Sequence, residues 1–189
     1  GYYDHNMLVM SERISDHLPK TEKYSPKQRL WYIRAKEVII SSGSIERPLV
    51  FGNNDTPGVM LSSAAKEYLK IYGVLVGKKP LVFTNNDSGY ETAIEFKKNG
   101  VDPIVLDTRK NPNSEIIKEA KDLNINIKFS YVVVAAKGYK KVKSADIAKI
   151  SDDKKNVSNI ENIQCDCICV SGFWTPTIHL ASQSGNKTK

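Results

Sequence analysis

The turn that follows the predicted strand Pro80–Phe83 has the clearest potential for chemistry. A dinucleotide-binding loop carries three glycines at such a turn, which allow a tight turn, close approach of the backbone to pyrophosphate, and helix packing. This chain has Thr84, Asn86 and Gly89 at the three places, so only the packing glycine is kept. Asp107 follows Gly89 by 18 residues, near the ~20 expected of a carboxylate that binds a ribose hydroxyl. The spacing leaves nucleotide binding open, but the lost glycines predict that this segment does not bind a dinucleotide strongly.

Two further turns consist of small residues that allow a ligand to approach the backbone closely. Ser41–Ser44 follows the apolar run Lys36–Ile40, and Ser171–Gly172 follows another apolar run. The second turn leads to Thr175 and Pro176, which suit the N-cap and the first position of a helix. Free N–H groups at both turns can hold an anion or a ribose. Ordinary turns and helix capping explain the same residues, so both interpretations stay open.

Side chains for metal binding or nucleophilic catalysis are sparse. The cysteines Cys165, Cys167 and Cys169 alternate along one predicted strand, and we expect all three to face one side as small buried hydrophobes. The histidines are isolated and no Cys-x-x-Cys pair is present, so the sequence predicts neither a metal site nor a disulfide framework. This use of cysteine is typical of a reducing cytoplasm. No residue has an evident catalytic role.

Charge and hydropathy argue against two classes of partner. The net charge of +7 comes mostly from scattered lysines, without a stripe of arginines and aromatics, so we expect no nucleic acid. No apolar run approaches the ~18–20 residues that span a bilayer, so we expect no membrane partner. Glu46 and Arg47 are expected to form a solvated pair in a loop. The 189 residues suffice for one ordinary domain or two small ones.

The elements that position these residues alternate between strand and helix. The central segment, from Pro80 to Leu106, reads as a strand, a helix at Asp87–Asn99 and a second strand, which is a βαβ unit. Hydrophobic periodicity, turn residues and caps predict the other elements. They are strands at Asn6–Ile14, Arg29–Arg34, Lys36–Ile40, Ile125–Phe129 and Cys165–Val170, a hairpin of Tyr131–Ala136 with Lys141–Ile150, and helices at Leu61–Tyr72, Ser114–Leu123 and Thr177–Ser184.

Several segments, taken together and in order, resemble one family over nearly the whole chain. They are GYYDH at Gly1–His5, the stretch Arg29–Val50 around its Glu-Arg-Pro, PGVML at Pro57–Leu61, FTNNDS at Phe83–Ser88 and VSGFWTPTIHLASQ at Val170–Gln183. With these segments the chain resembles the alpha subunit of heterotetrameric sarcosine oxidase. Ser41–Ser44 departs from the more usual Ala-Thr-Gly-Ala of the family but keeps small residues.

The resemblance implies an α/β fold, namely a Rossmann-like fold with two dinucleotide-binding domains of the FAD/NAD(P)-binding type. Residues 1–57 and 156–189 are expected to form parts of an incomplete first domain, with 58–155 inserted as a second, degenerate Rossmann domain. In the family a glycine-rich loop lies upstream of GYYDH and a folate-binding domain lies downstream. The chain is therefore expected to be a central fragment.

The resemblance also implies an oxidoreductase that oxidatively demethylates sarcosine to glycine, forms hydrogen peroxide and passes the one-carbon unit to tetrahydrofolate. NAD is the implied cofactor of the alpha subunit, FAD and FMN belong to the complete complex, and tetrahydrofolate binds a domain outside this chain. The implied partners are beta, gamma and delta subunits. The two small-residue turns and the resemblance together predict that NAD is contacted by Gly43, Ser44, Gly172, Thr175, Leu180 and Ser182.

Two alternatives stay open at this point. Related amino-acid or cyanide-forming flavin dehydrogenases share the loop motifs, although they are expected to keep more ordinary glycines in the second nucleotide-binding unit. A non-catalytic scaffold subunit that binds only its partner subunit is the alternative of a different class.

Overall fold

The computed structural model of the chain describes residues 1–151, 153 and 155–185. Positions 152, 154 and 186–189, which the predicted domains include, lie outside the described residues. The strands of the described part are β1 (Tyr2–Tyr3), β2 (Met7–Arg13), β3 (Gln28–Arg34), β4 (Ser44–Arg47), β5 (Val59–Leu61), β6 (Pro80–Thr84), β7 (Ile104–Asp107), β8 (Asn126–Phe129), β9 (Tyr131–Lys137), β10 (Ser144–Lys149), β11 (Glu161–Gln164), β12 (Cys167–Ser171) and β13 (Phe173–Pro176). The helices are α1 (Ser62–Tyr72), α2 (Ser88–Lys98), α3 (Glu115–Asp122) and α4 (His179–Gln183).

The chain forms two compact units. Unit 1 consists of Gly1–Ile45 with Thr175–Lys189, and unit 2 consists of Glu46–Trp174. The sequence prediction placed the divisions at 57/58 and 155/156 instead. The main difference is β12, which was expected in the first domain. It lies inside the parallel sheet of unit 2 because it hydrogen-bonds to β5 on one side and to β6 on the other.

Unit 2 contains a five-stranded parallel sheet in the order β5-β12-β6-β7-β8. The predicted βαβ unit is confirmed as β6, α2 and β7, with β6 and β7 paired in parallel. Register places Ser171 beside Thr84 and Thr84 beside Asp107, so the carboxyl ends of β12, β6 and β7 meet at one edge. The chain order reverses direction across the sheet between β6 and β12, which makes this the topological switch point where open α/β sheets bind ligands.

Both faces of the parallel sheet are covered, which explains why β6 is buried at every position. Val82 and Val105 pack with Tyr90, Phe96 and other helix residues in one core cluster. Strand residues on the other face of the parallel sheet pack in a second cluster with the antiparallel sheet β11-β10-β9. They include Leu81, Phe83, Leu106, Ile168 and Val170. Each large apolar side chain buried in this way contributes about 1.5–3 kcal/mol to folding.

The cysteines correct one expectation. Cys167 and Cys169 lie in the helix-side cluster, as strand alternation predicts, but Cys165 lies in the other cluster. The strand begins only at Cys167, and the carboxylate of Asp166 accepts hydrogen bonds from the backbone N–H groups of Lys78 and Lys79 at 2.7 and 2.8 Å. Because this contact interrupts the alternation, Cys165 faces the opposite side. Burial, and after it the neighbouring Cys167, raises the pKa of Cys165 to about 12.

Unit 1 contains an antiparallel meander, β1-β2-β3, and the two longer strands predicted there are confirmed. His5 and Asn6 form the turn between β1 and β2 with φ of 59° and 55°. Every residue of β3 is exposed. The Tyr2 N–H donates to Oε1 of Gln183 at 3.0 Å, which ties α4 to the meander.

Two local expectations were wrong, and one strand was not predicted. The run Lys36–Ile40 is not a strand, and Ile39 is 93% exposed. Among the described residues no strand pairs with this run, and a parallel strand cannot form without a neighbour to hydrogen-bond to. Thr175 and Pro176 belong to β13 and do not start a helix, since α4 begins at His179. The polar segment before the cysteines contains an unexpected strand, β11, that pairs with β10.

Candidate functional site

The site with the strongest geometry lies at the carboxyl ends of β12, β6 and β7. We call it the unit 2 crevice and define it by Thr84–Ser88, Asp107–Arg109 and Ser171–Gly172. A Cβ added to Gly89 would lie 2.6 Å from Cβ of Thr84. The third position of the predicted loop therefore needs glycine for packing of α2 against β6.

Asn86 spans the crevice with its side chain. Its Nδ2 group donates to the backbone oxygens of Ser171 and Gly172 at 3.3 and 2.9 Å. Its Oδ1 atom accepts the backbone N–H of Ser88, the first residue of α2, at 2.8 Å. The amide of Asn86 thus connects the ends of β6 and β12 and satisfies one of the free donors at the start of the helix.

Asp107 is fully buried at the end of β7 and accepts several hydrogen bonds. Oδ2 accepts the hydroxyl of Tyr90 at 2.7 Å and Nη2 of Arg109 at 2.8 Å, while Oδ1 accepts the backbone N–H of Arg109 at 2.9 Å and its Nε at 3.0 Å. The Nη1 atom of Arg109 lies 2.8 Å from Oδ1 of Asp87, just before α2. One guanidinium therefore bridges two carboxylates.

The electrostatics of this cluster fix its protonation. Burial lowers the pKa of Arg109, but hydrogen bonds to Asp107 and Asp87 outweigh burial and hold the pKa above its usual range. Burial, followed by the hydrogen bond to Asp107, raises the pKa of Tyr90. Arg109 is therefore a permanent cation and Tyr90 a neutral donor at physiological pH. The cluster can therefore hold a positive charge in place beside two carboxylates.

The predicted contact residues of unit 1 lie in two neighbouring segments. Gly43 has φ of +66°, and a Cβ built on it would meet no atom within 4 Å. The N–H of Thr177 donates to the carbonyl of Gly43 at 2.9 Å, which joins this turn to the segment before α4. Ser44 begins β4 and is exposed. Thr175 lies in β13.

The remaining predicted residues differ in their exposure and in the groups that already contact them. Leu180 is 40% exposed in α4. The Ser182 hydroxyl donates to the carbonyl of His179 at 3.0 Å, within the same helix. Gly172 lies in unit 2, where an added Cβ would lie 2.7 Å from the backbone oxygen of Arg47. Packing against the chain's own backbone therefore accounts for this glycine.

Glu46 has a structural role that its sequence position did not predict. It is buried rather than solvated, and its Oε2 atom accepts the N–H and the hydroxyl of Ser63 at 2.9 and 2.6 Å. The N-cap of α1, Leu61, makes no side-chain hydrogen bond. Glu46 thus caps α1 from a distant part of the chain. The sequence carries no signal for this contact, because Glu46 and Ser63 are 17 positions apart.

Within the described residues, no group of histidine, cysteine and carboxylate side chains is arranged to hold a metal ion. The helices described in the structure are also too short or too polar to cross a membrane.

Comparison with known proteins relates the chain to oxidoreductases. No family model matches it. The sarcosine oxidase subunit alpha of Rhizobium meliloti is 35% identical over 188 residues, which are 99% of this chain and 18% of that protein. Thioredoxin reductase of T. acidophilum superposes with a TM-score of 0.66 at 17% identity, covering 86% of this chain and 53% of that one. L-proline dehydrogenase of P. horikoshii superposes with a TM-score of 0.57 at 20% identity, covering 99% and 29%.

The parallel sheet with its switch point and the structural neighbours define the fold as that of FAD/NAD(P)-binding oxidoreductases, which confirms the predicted α/β class. Over almost its whole length the chain is a homologue of a segment of sarcosine oxidase alpha subunits, and the resemblance carried by its motifs is confirmed. The chain spans about a fifth of the length of this relative.

Proposed function

We propose that this chain is the NAD-binding portion of a sarcosine oxidase alpha subunit. The complex would oxidatively demethylate sarcosine to glycine, form hydrogen peroxide and transfer the one-carbon unit to tetrahydrofolate in the cytoplasm. The identity of 35% over 188 residues carries this proposal. Beta, gamma and delta subunits are the proposed partners. FAD and FMN are proposed for the complete complex, and tetrahydrofolate for a domain outside this chain.

Unit 1 carries the proposed NAD contacts, which are Gly43, Ser44, Thr175, Leu180 and Ser182. The turn at Gly43 supports the proposal because the space beside its Cα is open and the residue has no side chain to obstruct a ligand. Leu180 supports it with exposed apolar surface that a ligand can contact. Gly172, which the sequence predicted as a contact, lies in the unit 2 crevice and is not part of the NAD site proposed here.

The role of this chain in the reaction is to bind and orient a cofactor. NAD, when bound, supplies the capacity to accept a hydride. No residue of the chain is proposed as catalytic. Flavin and substrate chemistry belong to other parts of the complex in this proposal.

The cofactor proposal is tested with a matched pair of glycines. Gly43 and Gly73 have φ of +66° and +64°, and an added Cβ would meet no atom within 4 Å at either one. Replacing either by Ala in the complete alpha subunit should cost the same stability, about 1 kcal/mol. Gly43→Ala is expected to weaken NAD binding at least tenfold in calorimetric titration, whereas Gly73→Ala, at the end of α1, should leave it unchanged.

Equal NAD affinities of the two variants would remove Gly43 from the site. If the unmodified subunit binds no NAD, the scaffold alternative gains support. Turnover of the complete complex with sarcosine, compared with other secondary amines and followed by hydrogen peroxide release, tests the reaction itself. Faster turnover of another amine would favour a related dehydrogenase.

A further inference from the structure

The unit 2 crevice has the topology of a dinucleotide site but not its chemistry. In such sites the pyrophosphate lies at the N-terminus of the helix after the first strand, and the carboxylate that ends the second strand binds a ribose hydroxyl. Here the corresponding elements are α2 and the end of β7, at Asp107. The contacts made by these two elements decide whether a ligand can bind.

Groups of the chain itself occupy both positions. At the start of α2, the side chain of Asn86 takes the N–H of Ser88, and Asp87 adds a carboxylate, which repels a pyrophosphate. At the end of β7, Asp107 has no exposed surface, and both its oxygens accept hydrogen bonds from Arg109. A ribose hydroxyl would have to displace the guanidinium of Arg109 and leave a buried carboxylate without its ion pair.

We infer that the unit 2 crevice holds no dinucleotide, because Arg109 bridges Asp107 and Asp87 in the place where a cofactor would contact them. Arg109 is a positioning residue in this inference. It ties the end of β7 to the start of α2 and neutralises the buried carboxylate. The inference rests on the proposed function in one respect, since it assigns the NAD of the alpha subunit to a site outside this crevice.

The first test measures the ion pair by stability in the complete alpha subunit. Arg109→Ala leaves Asp107 buried and unpaired, and it should lower the midpoint of the thermal transition in which unit 2 unfolds by about 10 °C. Adding Asp107→Asn removes the unpaired charge and should restore part of this loss. Arg109→Lys keeps one cation and should lie between Arg109→Ala and the parent. Unchanged midpoints for Arg109→Ala would overturn the inference, because the bridge would then stabilise nothing.

The second test measures the cofactor in the same proteins. The NAD content and affinity of Arg109→Lys and of the double variant Asp107→Asn/Arg109→Ala should match the parent. A tenfold loss of affinity in either folded variant would show that the dinucleotide lies in the crevice, and would overturn the inference.

If the parent itself contains no NAD, the proposed function fails rather than this inference. The inference is then judged by the midpoints, and by added NAD at millimolar concentration. Added NAD should raise the thermal midpoint of the parent no more than it raises that of the double variant. A rise in midpoint that occurs in the parent but not in the double variant would overturn the inference.

Discussion

At the scale of single residues, Glu46 shows how one buried carboxylate can hold a helix end. Its Oε2 accepts both donors of Ser63, and α1 has no local cap. Glu46→Ala should therefore lower the free energy of unfolding by about 1–3 kcal/mol in urea titration. Glu46→Gln keeps an acceptor and should lose less than half as much. The control Glu67→Ala, on an exposed position of α1, should change stability by less than about 0.5 kcal/mol. Equal stability of Glu46→Ala and this control would contradict the cap.

At the scale of elements, the contact between α2 and β6 depends on a missing side chain. A Cβ at Gly89 would lie 2.6 Å from Cβ of Thr84, between a helix and the middle strand of the sheet. Gly89→Ala should destabilise the protein by about 1–3 kcal/mol through overpacking. In the double variant Thr84→Gly/Gly89→Ala, the missing side chain is on the strand and no longer on the helix. Its loss of unfolding free energy in urea titration should therefore be smaller than the sum of the losses of the two single variants. Additive costs would show that the two sites do not compete for space.

At the scale of the whole molecule, the two units differ in how strongly they should protect backbone amides from hydrogen exchange. Unit 2 has a parallel sheet covered on both faces, and every residue of β12 is buried. In unit 1 every residue of β3 is exposed. Local opening is easiest where few buried contacts hold an element. Amide hydrogen exchange of the 189-residue chain, followed by mass spectrometry, should therefore be at least tenfold slower in peptides of β6, β7 and β12 than in peptides of β2 and β3. Comparable exchange in β3 and β12 would refute this ranking.

The sequence by itself determined the features that depend on neighbouring residues. Helical spacing predicted a helix at Leu61–Tyr72, and in the structure Gly73 ends α1 with φ of +64° and donates its N–H to the carbonyl of Leu69. The βαβ unit around α2 and the hairpin of β9 and β10 were predicted for the same reason, since periodicity, caps and turns act over a few residues. The family likeness was also readable, because its motifs are short contiguous segments.

Tertiary structure alone decided the features that depend on distant partners. Lys36–Ile40 and Pro80–Thr84 are both apolar runs of strand length, yet only Pro80–Thr84 is a strand, because it lies between β12 and β7. The cap made by Glu46 depends on Ser63, and the link made by Asn86 depends on Gly172, 86 positions along the chain. The bridge that Arg109 makes across the unit 2 crevice likewise depends on β7 ending beside β6 and α2. Hydrogen bonds and burial link residues by distance in space, whereas sequence patterns report only distance along the chain, and for that reason the crevice looked like a weakened dinucleotide site until its contacts were known.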